Sequence, residues 1–116
     1  EYDCKSLKVK RKSIIKYINY IAITEMYENG LLNGLCIYPE RTTMYKNGKK
    51  EGVEYVKNNR RCTLEVNIYS NDTLVKWYEY DYNVLLQIGE RIGDQEYKIV
   101  AYNRNVIKEY EFYYKD

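Results

Sequence analysis

Residues 27–34 read Tyr27-Glu28-Asn29-Gly30-Leu31-Leu32-Asn33-Gly34, and residues 45–52 read Tyr45-Lys46-Asn47-Gly48-Lys49-Lys50-Glu51-Gly52. The shared pattern is Tyr-x-Asn-Gly-x-x-x-Gly, offset by 18 residues. An Asn-Gly pair reaches the positive φ values that a two-residue hairpin turn needs. The aromatic then ends one strand. The second glycine is expected where a missing side chain lets an aromatic ring or a neighbouring backbone approach. A weaker third copy starts at Tyr69-Ser70-Asn71-Asp72, with Asp72 and Lys76 in the two glycine places.

Outward from these copies, further turn signals stand at Asn58-Asn59, Asn71-Asp72 and Gly93-Asp94. Short runs rich in Tyr, Val, Ile and Thr lie between them, and these residue types suit a pleated sheet. Alternation is clearest at 60–69, where Cys62, Leu64, Val66 and Ile68 share one side and Arg61, Thr63, Glu65 and Asn67 the other. It recurs at 74–82, where Tyr78, Tyr80 and Tyr82 share a side and Glu79 and Asp81 lie opposite. Strands are expected at 95–102 and 105–114, and 13–27 reads as strand broken near Asn19 rather than as helix. Residues 83–92 could form one short helix, since Val84, Leu85 and Ile88 have helical spacing. The fold expected is all-β, an antiparallel meander of repeated hairpins with about seven to nine strands and at most one short helix. Residues 1–116 form a single β domain, with repeat-like hairpins over 25–82 and non-repeat capping strands over 83–116. Core positions are expected at Ile21, Ile23, Leu35, Ile37, Val53, Tyr55, Leu64, Val66, Ile68, Val75, Trp77, Ile99, Ala101 and Phe112.

Composition narrows the function. The 116 residues contain no His, one Pro, one Phe and 16 Tyr. Without His there is no Ser-His-Asp or Cys-His catalysis and no His-ligated zinc. The three cysteines, Cys4, Cys36 and Cys62, include no Cys-x-x-Cys pair. Cys62 is expected to be a buried free thiol, while Cys4 and Cys36 are the better candidates for a bridge. No cofactor or metal site is expected. Net charge is +2, but residues 1–61 carry +6 and residues 62–116 carry −4. The basic excess gathers in Lys5, Lys8, Lys10, Arg11, Lys12 and Lys16, a run that could touch an anionic membrane surface. Nucleic acid is not expected, because no recognisable nucleic-acid motif is present. The longest uncharged apolar stretch, Tyr17 to Thr24, is eight residues and far short of the ~20 of a membrane span. The chain starts at Glu1 without Met, which leaves secretion or export as an expectation. Tyr, Asn, Ile and Lys all have AT-rich codons, so their joint excess points to a low-GC organism or virus.

The stretches YENGLLNGLCIYPE and MYKNGKKEGVEYVKNN resemble MORN repeats of the degenerate bacterial and viral kind, mainly over residues 25–60. Tyr38-Pro39 and Tyr55 would sit in the second strand of such a unit. The resemblance implies a non-enzymatic protein that acts as a scaffold or interaction surface. Some bacterial variants of the family are antitoxins.

Residue chemistry points the same way. Glu79 and Asp81, at i and i+2, project from one face of a strand, as acids on a solvated face ordinarily do. Cys62 has no base to activate it. Sixteen tyrosines exceed what so small a domain can bury, so exposed aromatic surface is expected. The function read here is a non-enzymatic module that binds a protein partner through a Tyr-rich sheet face. The binding row is Tyr78, Tyr80 and Tyr82, extended by Tyr27 and Tyr45 if the repeats stack in register. The alternative is a secreted or viral immune-evasion factor, or an antitoxin or immunity protein, that neutralises one protein.

Overall fold

The computed structural model describes residues 2, 3, 8, 9, 12–18 and 21–115, with side chains at 13–17 and 22–115. The described residues form strands and turns and no helix. The strands are β1 (Tyr2–Asp3), β2 (Lys8–Val9), β3 (Lys12–Ile18), β4 (Ile21–Glu28), β5 (Leu31–Leu32), β6 (Gly34–Tyr38) and β7 (Arg41–Lys46). They continue as β8 (Lys49–Asn58), β9 (Thr63–Ser70), β10 (Thr73–Asp81), β11 (Val84–Gly93), β12 (Glu96–Tyr102) and β13 (Lys108–Lys115). β1 and β2 pair with each other. The rest form one antiparallel sheet of 11 strands in the order β13-β12-β11-β10-β9-β8-β7-β6-β4-β3, with β5 paired to β4. This exceeds the seven to nine strands read from sequence. Residues 83–92, expected as a possible helix, are strand β11: Ile88 and Leu85 face β10 in register with Tyr78 and Tyr80.

The repeat is conformational as well as textual. Asn29 and Asn47 have φ of 52° and 50°, and Gly30 and Gly48 both have 81°. Positive φ at both central residues is the twist that matches flanking strands in a two-residue hairpin. The third copy keeps it with Asn71 at 49° and Asp72 at 68°. Successive copies are tied by equivalent bonds. The Gly48 N–H donates to the Leu32 carbonyl at 2.8 Å, and the Asp72 N–H donates to the Lys50 carbonyl at 2.9 Å. Asn33 Oδ1 accepts from the Asn47 N–H at 3.1 Å, and Glu51 Oε2 accepts from the Asn71 N–H at 2.5 Å. Asn33 and Glu51 hold the same place in their copies, so the hairpin tips are stacked by one recurring device.

The second glycine of each copy serves backbone conformation, not aromatic contact. Gly34 and Gly52 have φ of 110° and 94°, where a side chain is strained. The glycine that admits an aromatic ring is Gly89, outside the repeat.

Register defines two faces. One row crosses the sheet through Ile14, Glu25, Cys36, Thr43, Glu54, Asn67, Trp77, Gly89, Ile99 and Phe112, each step a Cα pair except Glu25 to Cys36, which lie beside the Thr24–Ile37 pair. We call this side the ladder face. Cys36, Thr43 and Glu54 are 0%, 1% and 3% exposed, and Glu25, Asn67, Trp77, Ile99 and Ala101 are also buried. The next row lies on the other side through Ile15, Thr24, Ile37, Thr42, Tyr55, Val66, Tyr78, Ile88, Val100 and Glu111. Ten residues in register on one side make this the apolar face.

Burial therefore runs opposite to the sequence reading over much of the chain. Leu35, Ile37, Tyr55 and Phe112, expected in the core, are exposed, while Thr43, Glu54 and Asn67 are buried. Trp77, Ile99 and Ala101 are buried as expected. Ile23, Val53, Leu64, Val66, Ile68 and Val75 are only partly covered, and the side chain of Ile21 lies outside the described residues. The physical reason is that the sheet is a single layer. A polar row survives inside the ladder face because its members bond one another, and among the described residues no second layer covers the apolar face. Phe112, on the ladder face, is exposed because β13 is the end strand.

Cys62 is likewise corrected. It stands in the turn between β8 and β9 with φ 53° and is exposed. Cys36 is the buried free thiol and not half of a bridge. It fills a gap where β4 and β6 share only the Thr24–Ile37 pair, and its Sγ accepts from the Met26 N–H at 3.4 Å. Cys4 lies outside the described residues.

Candidate functional site

Between β3 and β9 the ladder face carries a connected polar network. Glu54 accepts from Thr43 Oγ1 at 2.7 Å and from Asn67 Nδ2 at 3.3 Å. Lys50 Nζ approaches it at 3.0 Å and Arg41 at 3.9 Å. Burial pushes this carboxyl up, but the bonds from Thr43, Lys50 and Asn67 outweigh burial and hold it below its ordinary range. Lys16 Nζ lies 2.6 Å from Glu25, and the Tyr38 hydroxyl donates to Glu25 at 2.9 Å. Lys16 first, then Tyr38, lower the Glu25 pKa. Arg41 stacks over the Tyr38 ring at 4.4 Å and Lys50 over the Tyr69 ring at 4.7 Å. The two charges of the row, Glu25 and Glu54, are each met by a cation from a neighbouring position on the same face, so the row serves cohesion.

Toward one end of β8–β11, an open cleft of about 410 Å³ is lined by polar Asn58, Arg61, Thr63, Glu65, Glu79 and Asp81 together with Val56, Leu64, Tyr80 and Leu86. Glu79 stands directly opposite Glu65 in register. Burial, and then the Glu65 charge, raise the Glu79 pKa. Asp81 is paired with Arg104. Among the described residues, no group of three or more His, Cys, Asp or Glu is arranged to hold a metal ion. No described helix is long and apolar enough to cross a membrane.

The apolar face presents a different chemistry. Ile15, Leu35, Ile37, Met44 and Tyr55 are all large, exposed and on this side, with Leu31 and Tyr17 at its margins. From Ile15 to Val100 its central row contains no charged side chain. Tyr78 and Tyr80 continue it on β10. The neighbouring row turns charged beyond β9, where Lys76 meets Glu90 at 3.6 Å; on β12, Lys98 meets Glu111 at 3.3 Å.

The five tyrosines read from sequence as one row are divided. Tyr78 and Tyr80 lie on the apolar face, half-buried. Tyr82 sits in the β10–β11 turn with φ 47°, where the strand periodicity ends, and is exposed. Tyr27 and Tyr45 lie on the ladder face, in register with Leu32 and Gly34, and cannot extend the row. The repeats do stack in register, but their tyrosines point away from Tyr78 and Tyr80. Of the basic run, Lys5, Lys10 and Arg11 lie outside the described residues, as do the side chains of Lys8 and Lys12. Ile15, Ile37 and Met44 were missed as surface, because alternation shows which residues share a side and not which side is covered. Comparisons with protein-family models, curated proteins and solved structures find no match to this chain.

Proposed function

We propose that this protein is a non-enzymatic interaction module that engages a protein partner through the apolar face of its sheet. The observation that carries this reading is the uncovered run of Ile15, Leu35, Ile37, Met44 and Tyr55 on one side of a single-layer sheet. Monomeric proteins rarely expose so contiguous an apolar surface, and such patches mark interaction sites. Tyr78 and Tyr80 add rings and hydroxyls with little rotamer entropy to lose on binding. The resemblance of residues 25–60 to MORN repeats supports the same class.

The test is affinity capture from the native source, followed by titration of the captured partner. Tyr78→Ala/Tyr80→Ala should weaken binding at least roughly tenfold while the variant still melts cooperatively. Undiminished affinity in a folded double variant would overturn the assignment of this face.

A further inference from the structure

We propose that the half of the apolar face carried by β3, β4 and β6–β9 is covered by a second copy of the chain, the two sheets packing face to face about a two-fold axis. The inference rests on reading this face as an interaction surface, and it names what covers one half of it.

The first observation is segregation. Ile15, Leu35, Ile37, Met44 and Tyr55, five exposed apolar side chains of this face, cluster on β3 and β6–β8, while Tyr113 on β13 stands apart from them. The charged side chains of the other half, Lys76, Glu90, Lys98 and Glu111, already pair among themselves. The centre of the first half carries no charge and Lys57 stands at its margin, opposite Leu64, so a partner must offer apolar surface to the centre. A copy of the same patch meets that requirement.

The second observation is the order of sizes along the central row. Across adjacent strands it reads Ile15, Thr24, Ile37, Thr42, Tyr55, Val66, so larger and smaller side chains alternate. A two-fold axis lying near the strand direction, between β6 and β7, sets Ile37 against the second copy's Thr42. The same operation sets Tyr55 against Thr24 and Ile15 against Val66. Each projecting side chain meets a smaller one, and each contact occurs twice, as an isologous interface requires. In the next row Leu35 meets Met44, apolar on apolar. An axis tilted ~15° from the strands gives the ~30° crossing usual for stacked sheets ~10 Å apart.

The third observation is area. Six strands at ~4.8 Å spacing, over about five residues each, present about 500 Å² per copy in flat projection. Two copies then bury about 1,000 Å² before side-chain relief is added, which meets the lower bound for a specific interface.

The experiment is sedimentation equilibrium on the purified full chain across a concentration series. The expected species is a dimer. Ile37→Lys should raise the dimer dissociation constant at least roughly tenfold, because it buries an unpaired charge at the axis. Ile37 is 45% exposed in the single chain, so this variant should keep its cooperative melt. Thr42→Trp is the discriminating variant: it makes the face more apolar yet fills the gap that receives Ile37, so it too should weaken the dimer. The exchange Ile37→Thr/Thr42→Ile, which swaps projection and gap, should restore it. A monomer at all concentrations, or a dimer indifferent to Ile37→Lys and Thr42→Trp, would overturn the proposal. A monomer that still captures a partner through Tyr78 and Tyr80 sinks the dimer and leaves the proposed function standing. A dimer whose partner capture ignores Tyr78 and Tyr80 does the reverse.

Discussion

The indole of Trp77 lies on the backbone of Gly89, its cross-strand partner: a Cβ added at Gly89 would fall 1.9 Å from Trp77 Cε2. Gly89 does not have the positive φ that would itself call for glycine. The contact alone selects it. The ring then packs beside Tyr97 at 5.7 Å between centroids, and Tyr97 stacks on Tyr114 at 5.2 Å, so the indole anchors an aromatic cluster over β10–β13. Gly89→Ala should destabilise the fold by about 1–3 kcal/mol through overpacking. A urea melt followed by Trp fluorescence checks it. A midpoint unchanged from the wild type would show that the indole can move aside at no cost.

Acid should loosen the ladder face before alkali does. Glu25 and Glu54 both have folded pKa values below their ordinary one. Their contribution is complete above the unfolded carboxylate value, ~4.3, and is lost as pH falls through the folded value. Glu54→Gln should cost about 2 kcal/mol at neutral pH, since it removes a charged acceptor from Thr43, Asn67 and Lys50. The gap between wild type and variant should close in melts below pH ~4. A gap that stays constant with pH would mean the loss is one of shape, not of charge.

Glu79 should behave in the opposite sense. Its pKa is raised, so its folded-state contribution is favourable below the unfolded value and is lost as pH rises through the folded one. Glu79→Gln is therefore expected to raise the Tm at pH 7, with the gain vanishing below pH ~4. Thermal melts at the two pH values decide it. A lower Tm at pH 7 would show that the Glu79 carboxylate makes a favourable contact in the cleft.

The thiols give a direct check on which side of the sheet is inside. Cys62 is exposed in its turn and Cys36 has no exposed surface. In a Cys4→Ser background, native protein should react rapidly with one equivalent of thiol reagent, at Cys62. Cys36 should react only after denaturation. Two fast thiols would mean that the β4–β6 gap opens readily.

The turns, the strand character of 13–18 and 21–27, the all-β meander and the repeat were legible because each rests on local chemistry, while the break read near Asn19 lies outside the described residues. Asn-Gly pairs set φ, and alternation sets which residues share a side. The covered side was not legible. At 62–68 the period of two is real, yet Leu64, Val66 and Ile68 face the uncovered side while Asn67 is buried. Hydrophobicity identifies the buried side only when a second layer exists to bury it, and Glu54 with Asn67 and Thr43 makes a polar row self-sufficient. Tyr78 and Tyr80 were placed on a common side correctly. Tyr82 was not, because the turn begins one residue before the alternation would end.

The repeat's second glycine gives the last prediction. Gly34 and Gly52 hold φ of 110° and 94°, and an added Cβ would meet Met26 Cβ at 3.3 Å and Met44 Cβ at 3.7 Å respectively. An L side chain in this region costs roughly 1–2 kcal/mol from backbone alone. Gly34→Ala should exceed Gly52→Ala, because only the first also crowds a neighbour. Lys76 occupies the equivalent place in the third copy, but it lacks positive φ and sits beside a register shift between Leu74 and Lys76. There the extra residue is absorbed without a left-handed backbone. Lys76→Gly should therefore yield no stabilisation and cost up to about 1 kcal/mol in backbone entropy and lost strand propensity. Chemical denaturation of the three variants ranks them. A stabilising Lys76→Gly would show that the third copy is strained toward the glycine geometry of the first two.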